Sequence, residues 1–272
     1  MSKNCTHDCS SCGKSCGERT APESFLAPAN PKSNVKKVIA VASGKGGVGK
    51  SLVTALLASE LAKQGRKTAI LDADITGPSI PRMFGIDQEI GGSEHALEPA
   101  VSKGGIKVMS LNLLLEDPTS PVVWRGPVIA GVIKQFWSDV AWGDIDVMFV
   151  DMPPGTGDVP LTVFQSLPVD GVVIVTSPQQ LVGMIVEKAV NMAVMMKKPV
   201  VGLVENMAFF KCPGCGEVHR IYGGGDAAAS AARHGIGQVC SLPLDPAVAA
   251  AADSGAIESI DASALDAIAK SL

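Results

Sequence analysis

The chain has 272 residues, 46% of them hydrophobic and 18% charged, with a formal net charge of −4. That balance suits one large α/β domain with a sizeable core and argues against a disordered chain. No Lys/Arg-rich patch points to nucleic acid, no apolar run approaches the ~18 residues of a membrane span, and the polar, cysteine-rich start is unlike a signal peptide.

Seven cysteines without an export signal imply a reducing, cytoplasmic compartment. There, cysteine pairs serve metals or redox chemistry more often than structural disulfides. Residues 1–34 read as a unit apart from a P-loop domain over 35–272. Cys5, Cys9, Cys12 and Cys16 form a C-x3-C-x2-C-x3-C run, and a Pro/Ala/Ser-rich linker follows it. Four thiols this close can wrap one metal centre without long-range folding. Iron–sulfur clusters take four cysteines, and Cys9 to Cys16 is similar to part of a ferredoxin run, with Gly17 in place of its proline. Zinc would accept the same sulfurs, and ligand type alone does not choose between these metals or exclude a tail without one. His7 reads as a solvated bystander.

Val38 to Ala42 is a short apolar run suited to a buried strand. Gly44-Lys45-Gly46-Gly47-Val48-Gly49-Lys50-Ser51 follows and fits G-x-x-x-x-G-K-[ST] at every fixed position. Leu52 to Lys63 then reads as a helix with Val53, Leu56, Leu57 and Leu61 on one face. In that context the glycines leave backbone N–H groups to converge on phosphate oxygens, helped by the helix N-terminus. Lys50 is expected to reach the β/γ phosphates of ATP and Ser51 to ligate Mg²⁺.

A second strand over Lys67–Leu71 runs into Asp72-Ala73-Asp74, and Pro78 and Pro81 break the chain after it. Carboxylates at this end of a parallel strand face the ligand crevice. Asp74 could orient or deprotonate the attacking water and Asp72 could support Mg²⁺, although a turn or helix cap would use the same residues. Residues 85–99 read as a glycine-rich surface loop, 106–111 as a strand and 128–138 as a helix, with Arg125 solvated and Trp137 and Trp142 in the core. Asp146 to Val150 is an apolar strand ending in Asp151, the Walker B pattern, so Asp151 is expected to hold Mg²⁺ through a water. Gly155 can approach the γ-phosphate and hinge a switch, and Asp158 reads as the cap of the next helix.

Gly171–Thr176 reads as a strand and Gln179–Lys198 as a helix whose Leu181, Met184, Ile185, Met192 and Met196 make a core stripe. The strand Pro199–Val204 ends at Glu205-Asn206-Met207, with Asn206 suited to a turn. Lys211-Cys212-Pro213-Gly214-Cys215-Gly216 carries a C-x2-C. Cys212 and Cys215 supply two sulfurs, whereas a closed Cys₄ site needs four, and a two-fold dimer would supply the others. Zinc-ribbon knuckles share the CPxCG pattern, so zinc competes here too. His219 reads as polar surface, and Cys240, in a strand over 237–242, as a buried small hydrophobe. The Ala-rich remainder is helical, closing with 264–272, and its tail lacks a membrane-binding amphipathic helix.

Taken together, GKGGVGKS, DADITGPS, DMPPGTGD, VENM and CPGC resemble, over roughly residues 35–250, the Mrp/Nbp-type iron–sulfur carrier ATPases of the MinD/ParA-like deviant Walker A group. The resemblance implies a P-loop NTPase fold, mostly parallel, with helices on both faces. It implies a homodimer in which Lys45 reaches the partner's nucleotide, Asp74 positions the water, and Asn206 and the loop 243–246 lie near adenine. It also implies slow ATP hydrolysis coupled to assembly of a 4Fe–4S cluster on Cys212 and Cys215 of both subunits, and its transfer to apo client proteins. A MinD/ParA-like positioning ATPase is disfavoured by CPGC. An electron carrier like the nitrogenase iron protein is disfavoured because that group bridges its cluster from cysteines far apart in sequence.

Overall fold

In the computed structural model β2 (Val38–Ala42) lies at the centre of the sheet, and all five of its residues are buried. The structure describes residues 25–272 except 76, 78, 88–89, 94–95, 116–123, 125, 179–181 and 225–226, and without the side chains of 182–185. Cys5, Cys9, Cys12, Cys16, His7, Arg125 and Leu181 therefore lie outside the described residues, and nothing is said of the side chains of Met184 and Ile185.

Side chains alternate across a strand, so β2 feeds two cores. Val38, Ala40 and Ala42 enter one cluster, and Ile39 and Val41 enter the other. The second cluster is closed by α1 (Lys50–Lys63), through Val53, Leu56, Leu57 and Leu61, and by α8 (Asp266–Ser271), through Ile268. The first is closed by α3 (Gly126–Ser138), through Ile133 and Phe136, and by α4 (Asp158–Ser166), α5 (Val182–Met195) and α6 (Ala227–Arg233). Trp137 and Trp142 are buried in that first core, as expected. Helices on both faces of a largely parallel sheet are the doubly wound arrangement.

β2 pairs in parallel with β9 (Val147–Asp151) on one side and β10 (Gly171–Thr176) on the other. Beyond β9 come β3 (Thr68–Asp72), β7 (Lys107–Met109) and the antiparallel edge β6 (Ala100–Val101). Beyond β10 comes β11 (Val200–Lys211), which pairs with β13 (Val239–Pro243) and, at its far end, with antiparallel β12 (Val218–His219). The chain leaves β2 for β3 in one direction and returns from β9 to β10 in the other. Strand order thus reverses at β2, where open α/β sheets bind ligands at the carboxyl ends of their strands.

Smaller elements depart from the sequence expectations. The break at Pro81 is a short helix, α2 (Ile80–Met83), because proline is tolerated in a first turn. The loop over 85–99 contains a two-residue hairpin, β4 (Gly92–Ser93) with β5 (Ala96–Leu97). A further parallel pair, β1 (Ser33–Val35) with β8 (Gly143–Ile145), anchors the start of the domain. Asp158 does not cap α4: Gly157 holds the cap position, without a side-chain bond, and Asp158 lies in the first turn. By contrast α7 (Pro246–Asp253) is capped by Asp245, whose carboxylate accepts from Ala247 N at 2.8 Å.

Candidate functional site: a phosphate loop and a cysteine hairpin

The segment between β2 and α1 turns on left-handed glycines, Gly47 at φ 79° and Gly49 at φ 80°. Gly49 is the cap of α1 and no side chain caps the helix, so its first amides face the loop. The loop is tied from three sides. Ser43 Oγ donates to Lys45 O at 3.0 Å, Gly155 N donates to Ser43 O at 2.9 Å, and Asn206 Nδ2 donates to Val48 O at 3.0 Å. A Cβ built on Gly49 would lie 2.2 Å from Asn206 Nδ2. The loop from Lys45 to Ser51, with Asp74 and Pro154, lines a cavity of about 280 Å³. Gly44 opens the loop without lining the cavity, and Lys45 is exposed at its mouth. Gly155, at φ 91°, turns its N–H to the Ser43 carbonyl in this conformation.

Three carboxylates meet below the loop. Asp72 and Asp151 oppose each other at the ends of β3 and β9. Lys50 Nζ lies 2.8 Å from Asp151 Oδ2, 3.7 Å from Asp74 Oδ2 and 3.2 Å from Ser51 Oγ. Ser51 Oγ donates to Asp151 Oδ2 at 2.5 Å, and Thr54 Oγ1 lies 2.7 Å from Asp151 Oδ1. Ser110 Oγ donates to Asp72 Oδ2 at 3.0 Å, and Asp74 N donates to Asp72 Oδ1 at 3.1 Å. Burial, with the Asp151 carboxylate beside it, pushes Asp72 up to about 8. The Lys50 ammonium thus rests between the Ser51 hydroxyl and the Asp151 carboxylate. Those are hard oxygen donors of the kind Mg²⁺ takes, and a cation already sits there, so the residues fit a Mg²⁺-nucleotide. Lys50, Ser51, Asp72, Asp74 and Asp151, the residues expected here from the sequence motifs, are brought together by the fold. The motifs did not identify Thr54 or Ser110, whose hydroxyls hold the acidic pair.

β11 runs seven residues past the expected end at Val204, so Asn206 sits in the strand rather than in a turn. Asn206 lines a second, apolar cavity of about 430 Å³ with Leu52, Leu56, Leu242, Leu244 and Val248. Leu52 borders both cavities, so a phosphate and a flat base could occupy them together. Pro243, Leu244 and Asp245 of the loop 243–246 also line it. Met207 stands at φ 57°, where the register with β13 shifts between Glu205 and Phe209.

Cys212 and Cys215 sit at the tip of the hairpin joining β11 to β12. Cys212 N donates to Glu217 O at 2.9 Å, and Gly216, at φ 76°, donates to Cys212 O at 2.8 Å. The Cys215 amide, the Gly214 amide and the Cys215 thiol hydrogen-bond to Cys212 sulfur and hold its thiol below the usual range. Cys215 is exposed, and neither cysteine is in a disulfide. His219 Nε2 lies 3.8 Å from a Glu217 carboxylate oxygen. Among the described residues no group of three or more His, Cys, Asp or Glu gathers as a metal site. Cys240 is buried on β13, and burial pushes its thiol up to about 11.

Comparison with known proteins bears on this geometry. The model of the NUBPL iron-transfer P-loop NTPases, a ParA-type family, matches residues 34–272. The chain belongs to that family. An iron-sulfur cluster carrier protein of Methanocaldococcus jannaschii is 42% identical, over 92% of this chain and 89% of the relative. The cytosolic Fe-S cluster assembly factor CFD1 of Kluyveromyces lactis is 39% identical, over 84% and 83%. A nucleotide-binding protein from Archaeoglobus fulgidus, solved in complex with ADP, is 46% identical with a TM-score of 0.76, covering 84% of this chain and 89% of that one. The cell division ATPase MinD of Pyrococcus furiosus, 20% identical with a TM-score of 0.62, shares the fold. The P-loop NTPase fold expected from the motifs is thus the family's fold. No helix among the described residues is long and apolar enough to cross a membrane.

Proposed function

We propose that this NTPase is an ATP-hydrolysing iron–sulfur cluster carrier that works as a homodimer in the cytoplasm. One observation carries the reading: a pair of accessible thiols, one acidified, lies in the turn directly after the strand that grips the phosphate loop through Asn206. Family membership makes iron–sulfur the cargo to test first.

In this reading Lys50 turns from Asp151 to the β/γ phosphates, the loop amides of 44–51 cradle them, and Asn206 borders the base. Ser51, and Asp151 through a water, hold Mg²⁺, with Asp72 behind them; the ion neutralises phosphate charge. Asp74 orients a water for attack on the γ-phosphorus, the bond to the ADP oxygen breaks, and ADP and phosphate leave. Lys45 reaches the partner's nucleotide. Two Cys212–Cys215 pairs, one per subunit, complete the four thiolates of a 4Fe–4S cluster, which leaves by ligand exchange with the thiolates of an apo client. Cys5, Cys9, Cys12 and Cys16, in the tail over 1–34, hold a separate centre.

The test uses a chain lacking residues 1–17, reconstituted anaerobically. Replacing Cys212 and Cys215 with Ser should remove one cluster per dimer and weaken dimerisation while ATP still binds, since a ligand shared by two subunits favours the dimer. Delivery of iron and sulfide to an apo acceptor at an undiminished rate by that double variant would refute the carrier reading. Zinc alone at the hairpin after attempted reconstitution would favour a zinc-stabilised scaffold, which the knuckle-like turn at Cys212–Gly216 also suits.

A further inference from the structure

Thr54 is out of place on its helix. The buried face of α1 is built mainly of Val53, Ala55, Leu56, Leu57, Ala58 and Leu61, and Thr54 is 0% exposed among them; the other buried hydroxyl, Ser59, donates within the helix to Ala55 O at 2.8 Å. A β-branched residue lowers helix propensity, and a buried hydroxyl needs a partner to offset its desolvation. Its Oγ1 lies 3.1 Å from Lys50 O and 2.7 Å from Asp151 Oδ1. The hydroxyl has one proton. Lys50 O already lies in the helix ladder and is the farther acceptor, at 3.1 Å against 2.7 Å for Asp151 Oδ1.

The proton therefore belongs to Asp151, and two hydroxyls of one helix clamp its two oxygens. Ser51 takes Oδ2 at 2.5 Å, beside the Lys50 ammonium, and Thr54 takes Oδ1 from the interior side. Fixing both oxygens fixes the plane of the carboxylate and turns Oδ2 toward Ser51. We propose that Thr54 is a positioning residue for the Mg²⁺ of the bound nucleotide, acting through Asp151 without touching the ion. The inference rests on the reading of Asp151 as the Mg²⁺ carboxylate.

Removing an outer partner of a metal-holding group typically costs about 10- to 100-fold in metal affinity. With ADP bound to the full-length protein, the Mg²⁺ concentration at half-saturation would be measured by calorimetry. ADP affinity would be measured separately in EDTA. Thr54→Val should raise the half-saturating Mg²⁺ by about 10- to 100-fold and leave the EDTA affinity within about twofold. Thr54→Ser keeps the hydroxyl and should stay within about threefold of the parent. A merely structural role would lower the melting temperature of Thr54→Val without moving the Mg²⁺ titration, and that result would overturn the proposal. Thr54→Ala, a good helix former, repeats the test if valine is not accommodated. Failure of both variants to fold would assign the hydroxyl to the fold and overturn the proposal as well. Asp151→Asn separates the two levels. If it leaves Mg²⁺ binding intact, the underlying reading fails. If it abolishes binding while Thr54→Val does not, only the role of Thr54 falls.

Discussion

Gly49 and Gly47 share a backbone conformation but not an environment, and that difference can be measured. Both are left-handed, at φ 80° and 79°. A Cβ at Gly47 meets nothing within 4 Å, whereas a Cβ at Gly49 lies 2.2 Å from Asn206 Nδ2. Gly47→Ala should therefore cost the left-handed penalty alone, about 1–2 kcal/mol. Gly49→Ala pays that and also drives Asn206 off Val48 O. Asn206 is 3% exposed, so its displaced amide and the Val48 carbonyl lose their partner inside the protein. An orphaned buried polar group costs about 1–3 kcal/mol, so with two of them Gly49→Ala should cost about 3–8 kcal/mol in all.

Urea unfolding followed by tryptophan fluorescence reads the difference, because Trp137 and Trp142 are buried in the core. Asn206→Ala supplies the cycle. On that background the clash is absent, and Gly49→Ala should add only about 1–2 kcal/mol. If Gly49→Ala costs the same on both backgrounds, or no more than Gly47→Ala, Asn206 does not brace the loop and the argument fails.

Other outcomes follow from the same geometry. Asp74→Asn should bind ATP almost as the parent does but hydrolyse it at least about 100-fold more slowly, read by phosphate release; an unchanged rate would remove Asp74 from the chemistry. Lys45→Ala should bind nucleotide yet fail to form the closed dimer, and sedimentation with a non-hydrolysable analogue decides this, a parental dimer counting against the cross-subunit role. In chelated, metal-free protein, iodoacetamide should alkylate Cys212 at lower pH than an ordinary thiol, because its depressed pKa raises the thiolate fraction at any given pH. Cys240 should reach half its limiting rate only near pH 11, where its raised pKa lies, and peptide mapping that found the two cysteines titrating together would contradict this.

The parts of the site that were legible in sequence are those whose signal is local. The phosphate loop is one continuous octapeptide between a strand and a helix, and its glycines, Lys50 and Ser51 act within a few residues of one another. Asp72 and Asp151 were legible because each ends an apolar strand, and parallel pairing brings strand ends together. Thr54 was not, because its partner is 97 residues away and nothing in the local pattern of α1 sets it apart from the apolar residues on either side. Ser110 was missed for the same reason, lying 38 residues from Asp72. Asp158 was assigned to a cap on residue type, but the backbone turns one residue earlier, at Gly157.

β11 was cut short for a different reason. Glu205 and Asn206 interrupt the apolar run, and polar residues after a strand ordinarily mean a turn. Here both are buried. Asn206 spends its amide on Val48 O, and Ser241 Oγ lies 3.4 Å from Glu205 Oε2 across the pairing with β13. Partners on other elements satisfied what the local pattern counted as solvent-facing. Consequently VENM and CPGC, which read as two motifs, are joined by one element: VENM lies within β11 and CPGC begins directly after its last residue, so Asn206 lies six residues before Cys212, about 20 Å at the rise of a strand. The left-handed Met207 and the register shift beside it fall between the two. β11 pairs with β10 and β13 as far as Glu205, meets β13 again at Phe209 and pairs with β12 at Phe210 and Lys211, so the segment between Asn206 and the hairpin is held at both ends. The hairpin is thereby connected to the Asn206 contact with the phosphate loop by a segment anchored at both ends and released from β13 around Met207.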